Sequence, residues 1–120
     1  MKKFQLAAPG PLRDRLIQAV LDGKKTATSS LLSGWLEENE GLPKLGEQQA
    51  PVDSANNTVA VIEITSIDQY RLAEVDELVA RDEGEDFSDV AEWRKAHEDF
   101  WKPKTVDDDT IVVVERFRLI

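Results

Sequence analysis

The segment Gly23-Lys24-Lys25-Thr26-Ala27-Thr28 places Lys25 and Thr28 three positions apart, shortly after a glycine. A lysine ammonium in a pocket can donate hydrogen bonds to an oxyanion, and a partly desolvated lysine can instead act as a base. A threonine hydroxyl beside such a lysine is a candidate nucleophile. The glycine pattern of a phosphate-binding P-loop is missing, so that kind of site is excluded. The alternative interpretation is a polar approach to a strand, with the lysine in solvent.

Composition narrows the kinds of site that this segment can belong to. The chain has 120 residues with one His and no Cys, which is the usual size of one domain. The lack of Cys excludes disulfides, thiolate zinc sites and a cysteine nucleophile, and one His excludes a multi-His metal centre within the chain. No apolar run approaches the ~20 residues that cross a bilayer, and the first six residues do not read as a signal peptide. We therefore expect a cytoplasmic protein, monomeric or weakly dimeric, that uses no metal or cofactor and does not contact membranes.

Charge is unevenly distributed along the chain. The whole sequence is acidic, with 15 basic and 24 acidic side chains and a net charge of −9. Residues 1–35, however, hold six basic and only two acidic side chains. Duplex affinity depends mainly on Lys and Arg that neutralise phosphates, so the acidic balance argues against a duplex-binding protein. Any contact with a phosphate or another anion should lie in the basic first third.

The spacing of apolar residues predicts an α+β chain in the order helix, short strand, helix, strand, strand, helix, helix, strand. A helix should cover residues 11–22, with proline in its first turn and Gly23 as its C-terminal cap. A short strand should follow, with Thr26 and Thr28 on one face. The next helix should run from Leu31 to about Gly41, capped by Ser29 or Ser30, with Trp35 and Leu36 on its apolar face. The remaining elements are a strand beginning at 45–47, a strand over 59–67, helices over 72–82 and 88–102, and a strand over 110–119.

The order of these blocks resembles the ASCH domain family. The GxKxxT segment at Gly23–Thr28 after a first amphipathic helix looks like the signature of that family, and Leu45-Gly46-Glu47 resembles the start of one of its strands. The break at 80–85, the helix over 88–101 and the final Glu115-Arg116-Phe117 are also similar to family blocks. The resemblance covers nearly the whole chain and implies a small PUA-like β-barrel with surrounding helices.

The resemblance also implies two activities. Some small bacterial members hydrolyse N4-acylcytidines to cytidine and a carboxylate with a lysine, a threonine and a glutamate, which by motif position are Lys25, Thr28 and Glu83. In one version of the reaction Thr28 attacks the acyl carbon, Lys25 deprotonates it or holds the oxyanion, and Glu83 moves the proton to the departing nitrogen. In the other version water attacks directly, with Glu83 as its base. Other members bind RNA or act as ribonucleases, so a nucleoside and single-stranded RNA are the two partners to consider.

Further side chains are candidate substrate contacts. Trp35 could stack on a pyrimidine, Ser29 could touch the substrate or cap a helix, and Glu63 interrupts an apolar strand or lies at its rim in water. His97 shares a helix face with Trp93 and Trp101, which fits a buried core histidine better than a catalytic one. A neutral nucleoside needs no basic surface, whereas single-stranded RNA normally needs a positive groove. The net charge therefore favours the nucleoside.

Overall fold

The structure, a computed structural model, describes residues 1–39 and 41–120. Its strands are β1 (Lys2–Phe4), β2 (Ala27–Leu31), β3 (Gln48–Pro51), β4 (Ile62–Arg71) and β5 (Ile111–Leu119), and its α-helices are α1 (Pro11–Leu21), α2 (Leu32–Glu37), α3 (Glu77–Asp82) and α4 (Val90–Trp101). The strands form one sheet in the order β1-β3-β4-β5-β2, with β1 and β3 parallel and the other pairs antiparallel. The α+β prediction is confirmed.

The centre of the sheet is the long pair β4 and β5, and both faces of β5 are covered. Because successive side chains of a strand point to opposite faces, Val112 and Val114 contact one apolar cluster and Phe117 contacts another. Helix α4 contributes Trp93 and Trp101 to the first cluster, and α1 contributes Leu16, Ile17 and Val20 to the second. The sheet is thus the middle layer between α4 on one face and α1 on the other.

Two of the predicted elements agree closely with the structure. Helix α1 begins at Pro11 and ends at Leu21, and Gly23 follows with a φ of 77°, a conformation that glycine adopts without strain. Strand β5 covers almost all of the residues predicted for the last strand. A third element, α4 (Val90–Trp101), covers most of the residues predicted for the helix over 88–102.

The second predicted helix is wrong in several respects. Ser29 and Ser30 do not cap it but lie inside β2, and the residue that precedes α2 is Leu31. Helix α2 already ends at Glu37 and buries none of its residues; Leu36 is 71% exposed. Ser29 and Ser30 pair with β5 and so belong to the sheet, and only a short helix follows β2. Residue 40, which the predicted helix included, lies outside the described residues.

Three other boundaries also differ from prediction. Strand β1 was not predicted, because three residues carry no detectable alternation. Strand β4 begins at Ile62 rather than 59, because Thr58 and Val59 bond back to Val52 and Pro51 in the turn after β3. The helix predicted over 72–82 is divided into a 3-10 turn (Leu72–Glu74) and α3, whose first turn is capped by the Asp76 carboxylate.

The two edge strands of the sheet border one cavity. Lys2, Lys3 and Phe4 of β1 line that cavity together with Thr28, Ser29, Ser30 and Leu31 of β2. This approach of the two edges is the barrel-like feature expected for a PUA-like fold. No helix among the described residues is long and apolar enough to cross a membrane.

Candidate functional site

A cavity of about 870 Å³ lies between α4, the β2 edge and the start of the chain. Lys25, Thr28 and Glu83, the three residues suggested by the family resemblance, all line it, as do Ser29 and Trp35. Pockets for small molecules typically measure roughly 300–1,000 Å³, so the cavity can accept a nucleoside. The structure thus brings five of the six candidate residues to one cavity.

The backbone positions Lys25 and Glu83 by direct contact between two segments. The amide of Thr26 donates a 2.7 Å hydrogen bond to the carbonyl of Asp82, which is the last residue of α3. Gly84 follows with a φ of 69°, and a Cβ at that position would collide with the Lys24 carbonyl. A glycine is therefore required both by the backbone angle and by the close approach of the two segments.

Four side chains surround the Glu83 carboxylate, which is 1% exposed. Ser29 donates to its Oε2 at 2.8 Å, and the indole of Trp93 donates to the same oxygen. Its Oε1 lies 3.6 Å from the Lys25 ammonium and 3.2 Å from His97 Nε2. The Lys25 ammonium also donates to the Glu83 carbonyl at 3.3 Å. These contacts hold the lysine at a fixed place in the wall.

The hydrogen bonds of His97 indicate its protonation state. Its Nδ1 lies 2.8 Å from the carbonyl of Trp93, which can only accept, and its Nε2 faces the Glu83 carboxylate. Both ring nitrogens can donate only in the imidazolium. Burial alone would lower the pKa of His97, but the hydrogen bond and charge of Glu83 outweigh it and raise that pKa above its ordinary value.

The same network keeps Glu83 ionised. Burial alone would raise its pKa, but the hydrogen bond from His97 and the charges of Lys25 and His97 lower the pKa to about 2. A carboxylate of this kind is a weak proton acceptor near neutral pH. Its geometry suits it to hold Lys25 and His97 in place.

Aromatic rings shield this network from solvent. The His97 ring stacks on Trp93 at a centroid distance of 4.2 Å and meets Trp101 edge-on at 5.3 Å. Phe87 approaches it from another side at 5.9 Å. His97 is therefore a buried histidine, as predicted, but it also lines the cavity and bonds the central carboxylate. Sequence reasoning did not connect His97 and Trp93 to Glu83, although their spacing of four residues places them on one helix face.

Thr28 belongs to the opposite face of β2 from Ser29. Adjacent residues in a strand point to opposite faces, so Ser29 points toward Glu83 and Thr28 points away from it. Within the described residues, no hydrogen bond joins Thr28 to Lys25 or Glu83. The cavity reaches both faces because β2 is an edge strand.

The face of β2 that carries Thr28 holds another set of polar groups. Thr28 pairs with Glu115 of β5 in the sheet register, and Glu115 is buried and lines the cavity. Two residues along, Ser30 accepts a 2.9 Å hydrogen bond from the Trp35 indole. Trp35 is half-buried, with the Lys2 ammonium 5.2 Å from the centre of its ring. Sequence reasoning missed Glu115, although it occupies the face of β5 that includes Val113 and Phe117.

Glu63 is the candidate that the structure does not bring to the site. It lies opposite Arg118 in the pairing of β4 and β5, and the guanidinium donates to its carboxylate at 2.7 and 2.9 Å. It does not line the cavity. Glu63 lies near the start of the central strand β4 and its carboxylate is paired with Arg118, so its position supports neither a substrate contact nor a rim carboxylate in water.

One group of side chains has the composition of a metal site. Ligand atoms of Glu83, Glu85 and His97 lie within 4.8 Å of one another. The Lys25 ammonium is 3.6 Å from Glu83 and 4.0 Å from Glu85, so it already supplies positive charge at this point. A divalent cation would have to displace Lys25 and bind a deprotonated His97. The donor set as arranged therefore fits an ammonium better than a metal ion.

Comparison with known proteins identifies the family. The ASCH domain model matches residues 4–120. An ASCH domain from Lactobacillus crispatus is 25% identical with a TM-score of 0.88 over 98% of this chain and 78% of that one, and a protein from Enterococcus faecalis is 26% identical with a TM-score of 0.90 over 100% and 76%.

A more distant structure shares only the fold. The ASCH protein of Zymomonas mobilis is 13% identical, with a TM-score of 0.59 over 87% of this chain and 61% of that one. No curated protein of established description matches the sequence. The family model covers nearly the whole described chain, and the two bacterial structures have the same overall fold. The chain belongs to the ASCH domain family.

Proposed function

We propose that the protein is an amidohydrolase that converts N4-acylated cytosine nucleosides, such as N4-acetylcytidine, to cytidine and a carboxylate. The observation that carries the proposal is that Lys25, Thr28 and Glu83 line one cavity large enough for a nucleoside. Their types match the requirements of amide hydrolysis, which needs a nucleophile and a group that stabilises the tetrahedral oxyanion. Trp35 supplies an aromatic ring in the same cavity for the pyrimidine.

The contacts suggest how the roles are divided. The Lys25 ammonium faces an ionised carboxylate, which suits it to hold the oxyanion of the intermediate. Thr28 is the candidate nucleophile. Glu83 was expected to carry a proton, but its four surrounding side chains and its low pKa favour a positioning role, in which it fixes Lys25 and His97. No step of this scheme needs a metal ion.

The test is turnover of N4-acetylcytidine, followed as cytidine and acetate by chromatography. We expect the wild type to release both products in equal amounts and Lys25→Ala and Thr28→Ala to lose at least about 100-fold in kcat/KM. Lys24→Ala and Thr65→Ala are matched controls, because both residues are exposed and neither lines the cavity. An inactive wild type would refute the function, and a fully active Lys25→Ala would refute the role of the lysine.

RNA binding remains a second candidate because of the charge around the cavity. Among the described residues, six basic and four acidic side chains line it, although the chain as a whole is strongly acidic. Lys3 and Arg15 belong to this wall. If single-stranded RNA binds there, a labelled oligonucleotide should be retained at low salt and released as salt rises, and Lys3→Ala with Arg15→Ala should reduce the slope of that dependence. Salt-independent or absent retention would exclude this candidate.

A further inference from the structure

Glu115 and Thr28 are direct neighbours in the sheet. They face each other in the antiparallel register of β2 and β5, so their side chains project from the same face. Residues paired in this way have Cβ atoms roughly 4.5–5.5 Å apart. Both side chains line the cavity. A carboxylate and a hydroxyl are thus held side by side on regular strands, within reach of one bound molecule.

The Glu115 carboxylate lacks hydrogen-bond partners within the described residues, although it is only 5% exposed. Buried carboxylates are normally hydrogen-bonded, and those without partners often mark a functional site. Every fully buried side-chain oxygen or nitrogen in the described part of the chain has a hydrogen-bond partner. The Glu115 oxygens have no partner, so they are not fully buried and remain in contact with the cavity. A substrate in the cavity would therefore meet an acceptor that no protein group occupies.

The charged groups around Glu115 come from other elements. Lys2 of β1 attracts a negative charge at this point and Glu47, just before β3, repels it. On its other side Glu115 pairs with Ile67 of β4, which is apolar. Burial is the largest influence and, with Glu47, raises the pKa of Glu115 to about 7 against the opposing effect of Lys2. Both the acid and the carboxylate are then populated at neutral pH, which proton transfer in both directions requires.

We infer that Glu115 is the proton-transfer residue of the cavity, acting on the Thr28 hydroxyl and on the amide nitrogen of the substrate. The inference rests on the proposed amidohydrolase function and assigns to Glu115 the task that the family resemblance suggested for Glu83. Glu83 then fixes Lys25 from one face of β2, while Glu115 serves Thr28 from the other.

The reaction balances with these residues and water. The Glu115 carboxylate takes the Thr28 proton as Oγ1 bonds to the acyl carbon, and the carbonyl electrons move to the oxygen that Lys25 holds. The C–N4 bond then breaks and Glu115 returns the proton to N4, which releases cytidine. Water gives a proton to Glu115 and attacks the acyl-threonine ester. The ester bond to Oγ1 breaks, Thr28 regains the proton, and the carboxylic acid leaves.

The test compares pH–rate profiles of wild type, Glu115→Gln and Glu115→Asp with N4-acetylcytidine. In the wild type kcat/KM should rise with an inflection near pH 7, as the carboxylate forms. Glu115→Gln should lose at least about 100-fold in kcat and lose the inflection, whereas Glu115→Asp should retain part of both. Glu63→Gln is the matched control, because this glutamate pairs with Arg118 outside the cavity.

The outcomes separate the two proposals. Turnover by the wild type with an equally active Glu115→Gln, or with the inflection preserved in that variant, overturns the role of Glu115 and leaves the amidohydrolase function intact. No turnover by the wild type overturns the function and this role together. Circular dichroism of Glu115→Gln checks that its loss of activity does not come from unfolding, which the removal of a buried carboxylate is not expected to cause.

Discussion

Glu83 and Glu115 reach the same cavity from opposite faces of β2, yet the groups that surround their carboxylates differ. Glu83 is bonded by Ser29, Trp93 and His97 and lies beside Lys25, whereas the carboxylate of Glu115 has no hydrogen bond from the described residues. Both are almost fully buried, so burial alone does not set their pKa values. The donors around each carboxylate do, and they adapt one glutamate to hold charge and the other to exchange protons.

The largest effect expected is the loss of the Glu83 charge. Glu83→Gln leaves Lys25 and His97 without a buried counter-charge, and we expect a loss of about 3–5 kcal/mol in the free energy of unfolding at pH 7. The pKa of Glu83 falls from 4.5 to about 2 on folding, so its stabilisation is present above pH 4.5 and is lost as pH falls toward 2. Urea unfolding of both proteins across this range should show the difference narrowing. A difference in unfolding free energy that stays constant over this pH range would contradict a stabilising role for the ionised Glu83.

The opposite sign is expected for Glu115. Its pKa rises from 4.5 to about 7 on folding, so ionisation destabilises the folded state as pH rises from 4.5 through 7. Relative to wild type, the free energy of unfolding of Glu115→Gln should increase by roughly 3 kcal/mol between pH 4 and pH 8. The same urea series measures this gain. A Glu115→Gln variant whose relative stability does not depend on pH would remove the contrast between the two glutamates.

A smaller effect is expected at the junction that places Glu83 beside Lys25. Gly84→Ala combines a φ of 69° with a collision between the new Cβ and the Lys24 carbonyl, and should cost about 2 kcal/mol. Gly34→Ala in α2 meets nothing within 4 Å and has an ordinary helical backbone, so it should be neutral or slightly stabilising. Thermal unfolding of the two variants makes the comparison. Equal melting temperatures would show that the close approach is not required.

The sequence predicts those parts of the fold that rest on local pattern. The proline and glycine that bound α1 and the apolar run of β5 are local signals, and both elements lie where predicted. The short helix α2 could not be placed, because Ser29 and Ser30 suit a helix cap and a strand equally well. Only their pairing with Val114 and Val113 of β5 decides between the two, and that pairing spans more than 80 residues.

The sequence predicts most of the residues of the candidate site, but not the contacts between them. Lys25 and Glu83 are 58 positions apart, and only the family resemblance related them before the structure brought them within 3.6 Å. His97 and Trp93, which bond the Glu83 carboxylate, have the sequence pattern of core residues, because aromatic rings dominate the face of α4 that carries them. The sequence pattern predicts Glu115 only as part of a strand. A glutamate on the same strand face as the buried Val113 and Phe117 is nevertheless unusual, and that position marks it as a candidate site residue.

The difference between the two carboxylates can be measured directly by NMR of the side-chain carboxyl carbons, titrated from pH 2 to pH 9. Glu83→Gln and Glu115→Gln assign the two resonances by their disappearance. We predict that the Glu115 resonance titrates near pH 7 and that the Glu83 resonance remains that of a carboxylate down to about pH 2. Ordinary titration of both near pH 4.5, or the reverse order, would contradict the assignment of charge holding to one glutamate and proton exchange to the other.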